Sequence, residues 1–228
     1  MVLVESDMDW EAIYLSLRIA LASTLLLIPL GVFLAWPIVH GYYRYRVILE
    51  TVTSISLVLP PTVIGFYLMV SMGPRSVIGG LLDNLVGIKL LFTFQGLLLT
   101  QILVNLPFFL QPLIASLDGV DRHLLEAAST LGSGRAGVYF RVALPIAWRG
   151  LLSGAIFSFT RAIGEFGVVL MIGGDLPGKT RTASIALFDQ VQTLDLKGAN
   201  QTALLLLIIA VVGTVCNAWL RSKEHLWT

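Results

Sequence analysis

Glu126-Ala-Ala-Ser-Thr-Leu-Gly132-Ser-Gly134-Arg-Ala-Gly137-Val-Tyr-Phe-Arg141-Val-Ala-Leu144-Pro145 is a polar, arginine-containing stretch between two long apolar runs. Glu126, Ala127 and Ala128 favour a helix. The Gly132-Ser-Gly134 segment breaks it, and a second short helical pattern ends at Leu144-Pro145, where proline opposes further helix. The spacing predicts two short helices joined at a glycine hinge and lying outside the bilayer. A membrane chain of this size has little other use for so long an ordered connection on one side. The unit reads as something built to be gripped by another protein.

The surroundings are strongly apolar. Of 228 residues, 56% are hydrophobic and only 13% charged, against about 25% charged in an average soluble domain. Mean hydropathy is +0.85. A net charge of +1 without any basic block gives no electrostatic footprint for nucleic acid. The single Cys216 excludes an internal disulfide and a cysteine-based metal site, and reads as a packing residue. Glu5, Asp7, Asp9 and Glu11 stand where a cleavable signal would carry Lys or Arg, so the first apolar run is expected to stay as a span.

A span needs roughly 20 mostly apolar residues. Five runs meet this: residues 19–39, 51–72, 90–117, 151–172 and 198–220. The expected architecture is an all-α, polytopic membrane protein of five transmembrane helices forming one domain over residues 1–228, with its long connection at 118–150. Lys and Arg in the connections set orientation. With the C-terminus inside, the inner segments hold eight, namely Arg44, Arg46, Arg122, Arg135, Arg141, Arg149, Arg221 and Lys223. The outer ones hold six, namely Arg18, Arg75, Lys89, Lys179, Arg181 and Lys197. The bias points to an outer N-terminus, a cytoplasmic C-terminus and a cytoplasmic 118–150 segment.

Two glycine patterns mimic nucleotide sites. Gly173-Gly-Asp-Leu-Pro-Gly178-Lys179-Thr180 fits G-x4-G-K-T, but that chemistry needs a strand before the loop and a helix after it, so that backbone amides cradle phosphate. Here an apolar span precedes it, and it reads as a turn leaving a helix. Gly132 to Gly137 fits G-x-G-x-x-G without a βαβ unit around it and reads as the hinge.

Arg161 and Glu165 stand near the middle of the fourth run, at i and i+4 on one helix face. Charges at that depth face the bundle interior or a water path, so the pair is either a structural lock or a pathway element. Gly150, Gly154, Ser158 and Ala162 form a small-residue stripe suited to close helix approach. Pro60 and Pro61 remove two successive backbone donors within the second run, flanked by Thr51, Thr53, Ser54, Ser56 and Thr62. This is a static kink or a broken helix beside a pathway. Gln101 and Asn105 share a face of the third run, as interhelical hydrogen bonds or as pore lining. His40, His123 and His225 all lie at expected cytoplasmic edges. Neither H-E-x-x-H nor a Ser–His pair at one depth occurs, so no catalytic residue and no general base of the usual kind is assigned.

Asp118-Gly-Val-Asp121, then Leu125-Glu126-Ala127-Ala128, Gly132 and Leu144-Pro145, resembles the E-A-A-x3-G-x9-(Ile/Val)-x-Leu-Pro loop of bacterial ABC importer permeases. Val142 takes the Ile/Val position. Leu57-Val-Leu-Pro60-Pro61-Thr-Val-Ile-Gly65, Met72-Gly73 and Arg161-Ala-Ile-Gly-Glu165-Phe166-Gly167 are similar to segments of molybdate permease subunits, and the resemblance covers nearly the whole chain. It implies a type I importer bundle in the bacterial inner membrane, working as a homodimer with two ATP-binding cassette subunits and an extracytoplasmic oxyanion-binding protein. ATP and magnesium would sit on the partner ATPase, with no cofactor or metal in this chain. The resemblance assigns ATPase coupling to Glu126, Ala127, Ala128, Gly132, Leu144 and Pro145. Pathway or gate candidates are Ser54, Ser56, Pro60, Pro61, Thr62, Arg161 and Glu165. Molybdate is the expected cargo. Tungstate or sulfate is the alternative, since those permeases share much of the pattern, although sulfate permeases are usually longer. An autonomous channel or membrane enzyme is the competing class, and it has no use for the 118–150 loop.

Overall fold

A computed structural model describes residues 8–39, 43–87 and 89–222. His40, His225, Lys223, Glu5 and Asp7 lie outside the described residues, as do the side chains of Thr53, Ser56 and Arg221. The described residues form twelve α-helices and one π-helical turn, with no strand among them. In chain order the helices are α1 (Trp10–Val39), α2 (Tyr43–Val58), α3 (Pro61–Met72), α4 (Val77–Val86), α5 (Phe94–Asp118) and α6 (Arg122–Thr130). They continue with α7 (Arg135–Val138), the π-helical turn Tyr139–Ala143, α8 (Leu144–Ile146), α9 (Trp148–Gly164), α10 (Gly167–Gly173), α11 (Ala183–Gln192) and α12 (Leu196–Ser222).

Three of the five expected spans are single helices long and apolar enough to cross a bilayer: α1, α5 and α12. Helix α1 begins nine residues before the expected run, because Asp9 caps it: its side chain accepts the Ala12 amide at 3.0 Å. Almost none of α12 is buried. Leu204, Leu207, Ile208, Val211 and Val215 are exposed along it, an apolar surface suited to hydrocarbon rather than water.

The other two expected spans are divided. The second becomes α2 and α3, separated at Leu59-Pro60. The fourth becomes α9 and α10, separated at Glu165-Phe166. Helix α3 is a short apolar helix, while α7–α8 and α9 together pass as one apolar span bent by 69° at Ala147. The cause of that bend is local. Pro145 has no amide to donate, and the backbone before it relaxes into the π turn Tyr139–Ala143. Proline and π-bulges are the usual origins of sharp kinks. Two helices also fill what reads in the sequence as connection, α4 within 73–89 and α11 within 173–197.

The chain divides into two compact units. The first holds residues 1–23, 59–104 and 159–212. Its core is Ile19, Met72, Leu97, Val104, Val168, Ile172 and Ile185. Helix α10 packs on α3 there, and the approach depends on glycine: a β-carbon at Gly65 would lie 3.2 Å from the Val168 backbone. The second unit holds residues 24–58, 105–158 and 213–228. In it α9 lies directly on α5. A β-carbon at Gly150 would lie 2.6 Å from the Pro112 carbonyl oxygen, and one at Gly154 would overlap the Phe109 carbonyl oxygen. These are two positions of the small-residue stripe, used for close packing as expected.

Candidate functional site

In the second unit, the stretch after α5 is built as an exposed helix held at both ends. Asp121 caps α6, accepting the His123 amide at 2.9 Å. The far end is a Schellman motif. The Ser133 amide donates to the Ala128 carbonyl at 3.1 Å and the Gly132 amide to the Ser129 carbonyl at 3.0 Å. Gly132 sits at φ +86° with open space around it, the left-handed conformation that the sequence pattern demands of glycine. The expected pair of short helices is therefore present, with α6 as the first and α7–α8 as the second.

No residue of α6 is buried. Glu126, Ala127 and Leu124 face solvent, as does Leu131 just beyond, which is 86% exposed. A nine-residue helix is marginal alone in water, and here the caps hold it together with light contact to α7 and the π turn. Glu126 lines an open groove of about 590 Å³ together with Leu125, Ser129, Thr130, Arg135 and Val138. Leu144 is half-buried and Pro145 exposed. The second arm is anchored more firmly than α6. Tyr139 is fully buried, its hydroxyl donates to the Val32 carbonyl at 2.6 Å, and its ring meets Trp36 at 5.4 Å between centroids. The root of α6 is tied by charge: Arg46 on α2 donates twice to Asp118, both at 2.8 Å, and once to Glu50 at 2.8 Å.

In the first unit, the two helix breaks come together. A β-carbon on Gly167, just past the second break, would lie 3.5 Å from the Pro61 side chain and 3.8 Å from Thr62. Pro60, Pro61 and Thr62 are exposed. Arg161 and Glu165 form the expected i,i+4 ion pair, Nη1 to Oε2 at 2.5 Å, lopsided in exposure: the Glu165 side chain is 2% exposed, that of Arg161 31%. Ser54 belongs to the second unit and is exposed on α2.

Interrupting α9 leaves carbonyls at its C-terminal end without intrahelical donors. Buried side chains from other helices supply them. Gln101 Nε2 donates to the Ala162 carbonyl at 3.2 Å, which answers the Gln101 alternative as an interhelical hydrogen bond. The Ser184 hydroxyl donates to the Glu165 carbonyl at 2.7 Å, and Thr182 meets Ser184 at 3.1 Å. Ser16 on α1 accepts the first amide of α11, from Ala183, at 2.8 Å. Ser16, Thr182 and Ser184 carry no motif, and only their convergence in space identifies them. The P-loop-like segment is a turn as expected. The amides of Lys179, Thr180 and Arg181 all donate to the Leu176 carbonyl, and the buried Thr180 hydroxyl donates to the Gly173 carbonyl at 2.6 Å. Amides spent in this way cannot cradle phosphate.

Residues 27–223 match the family model described as "Binding-protein-dependent transport system inner membrane component". Among curated proteins, the chain is 41% identical over 198 residues to the "Molybdenum transport system permease protein ModB" of Azotobacter vinelandii, covering 87% of this chain and 88% of that one. It is 34% identical over 219 residues to the protein of the same name from Escherichia coli K12, with 96% of each covered. It is also 32% identical to the "Probable sulfate transport system permease protein cysT" of Chlorella vulgaris, covering 88% of this chain and 75% of that one. Among solved structures it superposes with a TM-score of 0.69, at 16% identity, on a chain of a bacterial alginate ABC transporter crystallised with its periplasmic protein, covering 96% of this chain and 78% of that one. At that identity the likeness is one of fold.

Proposed function

This chain belongs to the binding-protein-dependent transport system inner membrane components, and from that premise we propose that it is the permease subunit of an ATP-driven importer of molybdate. It is a helical, multi-pass inner membrane protein of transport. The finer reading is that one domain spans residues 1–228 with five membrane crossings, N-terminus outside and C-terminus in the cytoplasm. It pairs with a second copy of itself, binds two ATPase subunits that carry ATP and magnesium, and receives cargo from an extracytoplasmic oxyanion-binding protein.

The observation that carries this reading is α6: a capped helix with nothing buried on it, set between long apolar elements. An autonomous channel or enzyme has no use for such a helix, whereas an energised permease needs a rigid handle. Glu126 offers an exposed charge to an Arg or helix N-terminus of the ATPase. Ala127 and Ala128 keep the helix slim enough to enter a groove. Gly132 sets the angle between the two arms, and Leu144-Pro145 ends the second arm at the bend.

A tetrahedral dianion crossing a central cavity between the two copies needs hydrogen-bond donors without a deep positive trap, because tight binding would stop release. The Thr62 hydroxyl suits that, and Ser54 and Ser56 on α2 lead toward it in sequence. Glu165 offsets Arg161, which makes the pair a lock near the gate rather than a free anion site. The test is uptake by proteoliposomes holding this chain, its cognate ATPase and its binding protein, with molybdate, tungstate and sulfate in competition. Saturable molybdate uptake resisting excess sulfate supports the proposal. Sulfate uptake of equal strength would transfer the cargo to the second reading, which the Chlorella relative favours.

A further inference from the structure

No residue of helix α6 is buried and it touches only α7 and the π turn lightly along its side, so a displacement imposed on it leaves chiefly through its ends. The C-terminal end runs through the Gly132 turn, a single glycine in open space. The N-terminal end is far stiffer. Only residues 119–121 separate α6 from α5, and each is bonded or packed. The Gly119 amide donates to Ala115, the Val120 amide to Leu117, and the Asp121 carbonyl accepts from Leu124, while Val120 is buried. The last residue of α5, Asp118, is gripped by both terminal nitrogens of Arg46, and the Arg46 Nε is held by Glu50 one helical turn further along α2.

We propose that Arg46 is a positioning residue for energy coupling, the strut through which movement of α6 reaches α2 by way of Asp118. The inference rests on the reading of α6 as the ATPase handle. The geometry suits a strut better than a stabilising bond. The pair is exposed, at 37% and 40% of side-chain surface, and exposed ion pairs add little to stability. A two-pronged guanidinium–carboxylate contact nevertheless fixes direction as well as distance, and the third contact, to Glu50, keeps the Arg46 side chain from swinging. Lysine, a point charge, cannot reproduce that fork. Helix α2 is the element that runs to the Pro60-Pro61 break, so the strut joins the handle to one of the two candidate gate segments along a continuous helix.

The experiment measures molybdate taken up per ATP hydrolysed in proteoliposomes of the permease–ATPase complex with binding protein. It compares wild type, Arg46→Gln, Asp118→Asn, Arg46→Lys, the charge-exchanged pair Arg46→Asp with Asp118→Arg, and Gly132→Val. The expected result is a fall on the order of fivefold in that ratio for Arg46→Gln and Asp118→Asn, the scale of modest coupling between linked sites, with ATPase subunits still bound. Arg46→Lys falls less, and the exchanged pair recovers part of the ratio. A purely structural contact would lower the amount of complex and leave the ratio unchanged, and that outcome overturns the strut. If Arg46→Gln fails to accumulate, Arg46→Lys is read by the same ratio: a fall supports the strut and an unchanged ratio overturns it. Should Gly132→Val keep both ATPase binding and the ratio, the reading of α6 itself fails. If Gly132→Val uncouples while Arg46→Gln does not, only the strut fails.

Discussion

Two interruptions of helix, at Gly132 and at Glu165-Phe166, look alike in the sequence and are opposites in physics. At Gly132 the chain turns in the open, its polar groups closed by its own backbone in a Schellman motif, and nothing packs around it. At Glu165 the chain breaks inside a buried cluster, and its freed carbonyls are taken up by Gln101 and Ser184 from distant parts of the sequence. The first interruption is self-sufficient and suits a surface that meets a partner. The second exists only because the bundle supplies donors, which is the condition for irregular backbone at membrane depth. A break of the first kind is a local decision of the chain; one of the second kind is a tertiary decision.

The contrast can be attacked at several points. The largest effect belongs to neither break but to the packing that brackets them. Gly154→Val drives a side chain into the Phe109 carbonyl of α5, backbone that cannot rotate aside, so the cost exceeds the usual overpacking range of about 1–3 kcal/mol. The protein should fail to accumulate in membranes, which an immunoblot of the membrane fraction measures.

Next is the buried pair. Arg161→Met leaves the Glu165 carboxylate, 2% exposed, without that counter-charge. Breaking a buried pair costs about 3–5 kcal/mol, and the partial exposure of Arg161 puts the loss at the low end. The double change Arg161→Met with Glu165→Leu should recover most of the thermal stability in detergent. A double variant that folds well but transports worse than the single one would make the pair a gate element instead of a lock.

At the open turn, Gly132→Val forces a β-branched residue to φ +86°, a strain of order 1–3 kcal/mol. It should leave membrane insertion intact while abolishing ATPase assembly or uptake. Gly132→Asn, which tolerates the left-handed region better, should restore part of both. Smallest is Ser184→Ala, which removes one hydroxyl from the Glu165 carbonyl and should lower stability by about 1 kcal/mol, read as a shift in the detergent melting temperature. No loss there would mean that the second break does not depend on the Ser184 donor and would leave Gln101 as the one to test. Orientation is checked separately. A reporter fused after Val39 should read cytoplasmic and one after Gly174 external, and the reverse would remove α6 from the cytoplasm.

What could be read in advance follows the same division. The α6–Gly132–α7 unit is legible because helix formers, a capping aspartate and a glycine at the turn act within a few residues of one another. The three long helices are legible because continuous apolar runs have few other fates. The α9 break is not, since Gly164-Glu165-Phe166-Gly167 resembles a continuing helix until Gln101 and Ser184 are in place. Helices α4 and α11 were hidden for a related reason. Each is ten residues long, too short to announce a crossing, and Ser16 from the far end of the chain caps the start of α11. Among the site residues, Pro61 and Thr62 do meet the segment that follows Glu165, while Ser54 belongs to the other unit and the Ser56 side chain lies outside the described residues.

The central claim is that an exposed, end-capped helix converts a partner's ATP hydrolysis into oxyanion movement. The most direct measurement is molybdate uptake into proteoliposomes containing the permease with and without its ATPase subunits, in wild type and Gly132→Val. The account predicts uptake only with the ATPase and ATP present, and its loss in Gly132→Val although the variant is inserted. Uptake without the ATPase, or undiminished ATP-driven uptake by the variant, would contradict it.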